Sequence, residues 1–160
     1  MHPRAVELTE KLRLQPHPEG GAFAEVFRSS STVERSGNAS RSALTTIYFL
    51  LTAGQTSRWH RVFSDEAWHF YEGDPIELLL FSPASGAITR RVLGPVARGV
   101  SPVHVVPSGI WQAARPLGAY GLAGCSVGPG FDYADFALLR NAPQELALLR
   151  TLHPDAAKLV

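Results

Sequence analysis

From Ala43 to Val127 the chain alternates apolar and polar positions in short runs, each closed by Gly, Pro, Ser or Asp. "ALTTIYFLLT", "SRWHRVF", "EAWHFYEG", "IELLLFS", "AITRRVLG", "VHVVP", "WQAARP" and "AYGLAGCSV" show period-two patterning or a brief continuous apolar run, the marks of strands. Upstream, "AFAEVFRS" sets Phe23, Glu25 and Phe27 against Ala22, Ala24 and Val26, which predicts a strand partly covered on both faces. Helical spacing occurs only near the ends. Val6, Leu8, Leu12 and Leu14 follow it loosely, and Leu146, Leu149 and Leu152 fall on one face of "APQELALLRTLHPD", with Pro143 suited to a first turn. "PHPEGG" (16–21) reads as a turn, and the polar stretch 29–42, "SSSTVERSGNASRS", as a surface loop. Many short strands between two terminal helices predict an all-β sandwich or barrel.

Composition narrows this picture. Fourteen glycines and twelve prolines suit many turns between short strands. The 160 residues make one domain, 1–160, with a barrel core over about 20–140. A net charge of +1, with Lys158 the only lysine beyond Lys11, argues against nucleic acid as a partner. The N-terminal "MHPRAVELTEKLRLQ" has no apolar run of the kind a secretory leader needs, and no stretch is apolar for long enough to cross a bilayer. The expectation is a cytoplasmic protein with no membrane partner. Cys125, in the apolar "YGLAGCSVGPG", is expected to be a buried, reduced thiol.

The densest chemistry lies in "GQTSRWHRVFSDEAWHFYEG". Strand alternation puts Arg58, His60 and Val62 on one face of the first run. In the second it groups Glu66 with Trp68, and sets His69 and Tyr71 opposite. The spacing is Gly54, five residues, His60, one residue, Val62, three residues, Glu66, six residues, Gly73. Further on, "PSGIWQAARP" places Pro107, Gly109, Gln112 and Pro116. These two spacings resemble the paired motifs of the cupin superfamily, with valine and glutamine where that pattern has histidines. "PHPEGGAFAEVFRS", "WHRVFSDEAWHFYEGDP" and "GPGFDYADF" resemble more closely its cupin-5 branch, DUF985. The resemblance implies a double-stranded β-helix, or jelly-roll barrel, with short N- and C-terminal helices, a pocket in the barrel mouth and a homodimer. The unbroken apolar run "IELLLFS", which calls for cover on both faces, also suggested a dimer.

The four positions that correspond to a cupin metal site are His60, Val62, Glu66 and Gln112. Valine offers no donor and glutamine only a neutral oxygen, which falls short of the three good ligands of a catalytic site. The expectation is therefore no cofactor, or at most a weakly bound divalent metal on His60, Glu66 and Gln112. A histidine, a glutamate and a glutamine buried together need partners, so a polar pocket is expected around them. The catalytic candidates are His60 as general base and Glu66 as its carboxylate. The ligand-binding candidates are Arg58, Trp68, Gln112, His104, His17, Glu19 and Arg28, with Tyr48 and Tyr120 as candidate acids. By analogy with the metal-free sugar-nucleotide epimerases of the same superfamily, the expected function is binding of a small polar metabolite, a nucleotide or sugar nucleotide. Turnover would be an isomerase-type proton transfer. The alternatives are a non-catalytic binding module and a metal-dependent oxygenase with a degenerate site.

Overall fold

The computed structural model describes residues 1–35 and 39–160. After helix α1 (Pro3–Lys11) the strands are β1 (Gln15–Pro16), β2 (Ala22–Arg28), β3 (Thr32–Arg35), β4 (Ala39–Ser42), β5 (Thr45–Thr52), β6 (Ser57–Val62) and β7 (Asp65–Gly73). They continue with β8 (Ile76–Ser82), β9 (Ala87–Leu93), β10 (Val103–Val106), β11 (Trp111–Pro116), β12 (Tyr120–Gly128) and β13 (Phe136–Leu138), before helix α2 (Pro143–Leu152). A six-stranded sheet runs β1-β2-β5-β12-β7-β10 and a five-stranded sheet runs β13-β6-β11-β8-β9. Every strand predicted from the apolar pattern is present, because the turn residues that break the pattern also end the hydrogen-bonded ladders.

Three apolar clusters hold the layers together. Phe49, Leu51, Trp68, Ile76, Leu78 and Val106 fill the space between the sheets. α1 packs Ala5 and Leu8 on Leu50 and Leu122 of the six-stranded sheet. α2 packs Leu146 and Leu149 on Trp59, Leu79, Phe81 and Trp111 of the five-stranded sheet. "IELLLFS" is thus covered on both faces within one chain, which removes that ground for expecting a dimer. Leu152, expected on the apolar face of α2, is instead exposed at the helix end.

The stretch 29–42 departs from the loop expectation. β3 and β4 form an antiparallel pair, Thr32 opposite Ser42 and Val33 opposite Arg41, while residues 36–38 of that stretch lie outside the described residues. The pair has no apolar face to reveal it in the sequence. Asp135 anchors it, its carboxylate accepting from Arg35 Nη1 at 2.7 Å and from Arg41 Nε at 2.8 Å. Among the described residues no helix is long and apolar enough to cross a membrane.

Candidate functional site

A cavity of about 460 Å³ opens between the sheets, lined from β2, β5, β6, β7 and β12 and from the loop after β12. Its polar wall begins in the 16–21 turn. Gly20 and Gly21 have φ of +109° and +72°, in the left-handed region that favours glycine. A Cβ on Gly20 would collide with the Thr56 carbonyl, and one on Gly21 would lie 2.8 Å from the Leu50 carbonyl oxygen. Glycine at both positions lets the turn lie flat against β5 and β6. The turn then delivers His17 and Glu19 into the cavity. The Arg58 N–H donates to the Glu19 carbonyl at 2.8 Å and locks it there.

His60 reaches the same point from β6. Its Nδ1–H donates to the Arg58 carbonyl at 2.7 Å, which leaves Nε2 facing Glu19 Oε2 at 3.1 Å. The other Glu19 oxygen accepts from Ser57 Oγ at 2.7 Å. The Phe136 ring stacks on the imidazole at 5.7 Å. His60 and Glu19 are both buried, and burial has opposite effects on their two charged forms. It pushes the Glu19 carboxyl up to about 8, against the Ser57 hydrogen bond, and lowers His60. One proton therefore lies between them at neutral pH, on the carboxyl oxygen and directed at Nε2. His17, 3.5 Å from the same carboxyl oxygen through Nδ1, is held down to about 4, first by burial and then by His60.

Glu66 enters from β7. Gln112 Nε2 donates to its Oε2 at 2.5 Å, and burial pushes the Glu66 carboxyl above the usual carboxylate range. The Gln112 oxygen accepts from Trp68 Nε1 at 3.0 Å. The chain from Trp68 through Gln112 to Glu66 is a buried support behind the cavity, so Trp68 and Gln112 hold Glu66 in place and do not line the space themselves. The expected His60–Glu66 hydrogen bond is replaced by the contact to Glu19. Cys125 is buried beside Glu66, and burial pushes its thiol well up, consistent with a reduced, unreactive side chain.

Arg58 was expected beside His60, and the structure turns it outward. The register explains why. His60 pairs with Gln112 but Ser57 pairs with Ala114, so two residues of β6, Arg58 and Trp59, lie against one of β11, Ala113. This bulge breaks the alternation, and Ser57 points inward with His60 while Arg58 faces solvent. His104 is also outside the site, its Nε2 bonded to the Val92 carbonyl at 3.1 Å. Neither candidate acid tyrosine is near: Tyr48 and Tyr120 pack with α1 on the outer face of the six-stranded sheet, and the Tyr120 hydroxyl donates to Glu72. Arg28 does line the cavity, with its guanidinium held by Glu25 at 2.7 Å and by the Phe131 carbonyl at 3.1 Å. Asp132 and Tyr133, from the loop after β12, line the cavity as well.

The jelly roll, the helical caps and the polar wall of His17, Glu19, His60 and Glu66 invite comparison with known proteins. The model of the cupin superfamily family DUF985 matches residues 6–139. The chain belongs to this cupin family. A hypothetical protein from Leishmania major is 33% identical, with 96% of each chain covered and a TM-score of 0.84. A protein from Shewanella oneidensis is 32% identical over 97% of this cupin and 96% of its own chain, with a TM-score of 0.85. Oxalate decarboxylase from Bacillus subtilis shares the fold at 15% identity and a TM-score of 0.60, with 89% of this chain covering 35% of the enzyme. No curated protein matches the chain.

Cupins commonly hold a metal in this part of the barrel, and the donors present here do not fit one. Val62 has no donor, both ends of the Gln112 amide are engaged, and no group of three or more His, Cys, Asp or Glu among the described residues is arranged for an ion. The chemistry available from this cupin's own side chains is proton transfer.

Proposed function

We propose that the cavity binds a small carbonyl-bearing metabolite and exchanges a proton beside its carbonyl, an isomerase-type reaction carried by the Glu19–His60 pair. The observation that carries this reading is the 3.1 Å contact between Glu19 Oε2 and His60 Nε2 at the cavity wall, braced by Ser57 on one side and the Arg58 carbonyl on the other. With its shared proton the pair can protonate a carbonyl oxygen. Without it, His60 Nε2 keeps a lone pair able to accept a proton from carbon. Glu19 takes the place next to the base that the spacing of Glu66 had suggested.

The lining also revises the expected occupant. A nucleotide or sugar nucleotide would need cations for its phosphates, and Arg28, the one guanidinium on the cavity among the described residues, already gives three of its five N–H groups to Glu25 and the Phe131 carbonyl. A compact aldose, ketose or related carbonyl compound suits a space of about 460 Å³ better.

The test is uptake of deuterium from heavy water into a panel of aldoses, ketoses and 2-keto acids, followed by NMR. Wild-type protein is expected to label one class, and His60→Ala to abolish labelling with an unchanged circular-dichroism spectrum. Undiminished labelling by that variant removes His60 as the base. A panel member that binds without labelling reduces the protein to a binding module.

A further inference from the structure

Carboxyl groups are the commonest titratable groups on the cavity wall. Glu19, Glu25, Glu66 and Asp132 line it, against the single guanidinium of Arg28. Three of the five Arg28 N–H groups are engaged: Nε and Nη2 bind the two Glu25 oxygens at 3.1 and 2.7 Å, and Nη1 binds the Phe131 carbonyl. Glu19 is committed through both its oxygens, to Ser57 and His60.

Glu66 is different. It is 7% exposed and lines the cavity, yet Gln112 occupies only Oε2, and its other protein partner is the Cys125 thiol, a weak donor. Beside Glu66 only His60, among the described residues, acts as an opposing group. The lining also carries four aromatic rings, Phe23, Phe49, Phe131 and Tyr133, and aromatic faces attract cations. An anion would meet carboxyl groups and the negative faces of rings. A cation would find favourable partners in both the carboxyl and the rings.

We infer that the ligand of this cavity carries a protonated amine, held by the Glu66 carboxylate and the surrounding aromatic rings. This rests on the reading of the cavity as a small-molecule site, and joined to the proton-transfer pair it narrows the substrate to an amino-carbonyl compound. Burial raises the Glu66 carboxyl, with His60 acting against that and Glu19 adding to it, so an ammonium group arriving beside Glu66 pulls the carboxyl back down and releases protons.

The experiment is calorimetric titration near neutral pH with three probes of one shape: tryptamine, tryptophol and indole-3-acetate. Tryptamine is expected to bind about tenfold or more tightly than either of the others. Repeating the titration in two buffers of different ionisation enthalpy should show proton release with tryptamine alone. Glu66→Gln should erase the preference for the amine while tryptophol binding persists, which also shows that the variant is folded. Equal or tighter binding of indole-3-acetate overturns the inference, as does the absence of tryptamine binding at millimolar concentration, or tryptamine binding without proton release. Tryptamine has no carbonyl to label, so this result and the isotope-exchange result can fail independently.

Discussion

His60 and Glu19 hold one proton across 3.1 Å, and that proton determines how the site depends on pH. The form able to accept a proton from carbon is the pair without it. Because burial pushes the Glu19 carboxyl up to about 8, the labelling rate is expected to rise with pH through that value. Glu19→Gln keeps a hydrogen-bonding group beside Nε2 that cannot ionise. It should lower the rate by about 10²-fold and flatten the pH profile, as steady-state labelling across a buffer series would show. The same shifts predict the pH dependence of stability. Glu19 holds its proton more tightly in the folded chain than in the unfolded one, so its contribution is fully present below its ordinary value of 4.5 and is lost as pH rises toward about 8. His17, lowered from 6.5 to about 4, acts in the opposite sense: its contribution is present above 6.5 and is lost as pH falls toward 4. The two oppose each other below 6.5, so the decline due to Glu19 emerges between pH 6.5 and 8. Thermal melts should show that decline in the wild type and a shallower one in Glu19→Gln.

The 16–21 turn and the β6 bulge build the site at the level of elements. Gly20 sits at φ +109° against the Thr56 carbonyl, so Gly20→Ala should cost about 1–3 kcal/mol. Chemical denaturation measures this. The same variant should weaken labelling, because Glu19 rides on the displaced turn. The paired strands β3 and β4 depend on Asp135, which both Arg35 and Arg41 grip. Asp135→Ala is expected to speed amide hydrogen exchange in β3 and β4 while leaving β5 and β12 protected; unchanged protection in β3 would refute the anchoring role. These are also the elements that alternation conceals. The bulge carries no glycine or proline, so parity alone places Arg58 inward and gives no sign of Ser57. The strands β3 and β4 are mostly polar, with no apolar face, and are stabilised by a carboxylate distant in the sequence.

For the whole molecule, two sheets enclose the cavity and a helix of the same chain covers each outer face. Leu149 is fully buried between α2 and the five-stranded sheet, and Leu149→Ala should cost about 2–5 kcal/mol in denaturant unfolding. That loss would show that α2 is an integral part of the fold, as its contacts with Trp59 and Phe81 imply. The main strands, both terminal helices and membership of the cupin family were all readable in the amino-acid order, since alternation, turn residues and motif spacing are local properties of the chain. So was the presence of His60 and Glu66 on the cavity wall. The partner of His60, the outward turn of Arg58 and the support roles of Trp68 and Gln112 were decided by tertiary structure alone. Buried polar groups take hydrogen bonds from whatever side chain the folding of distant segments brings within reach, and no local pattern records which one that will be.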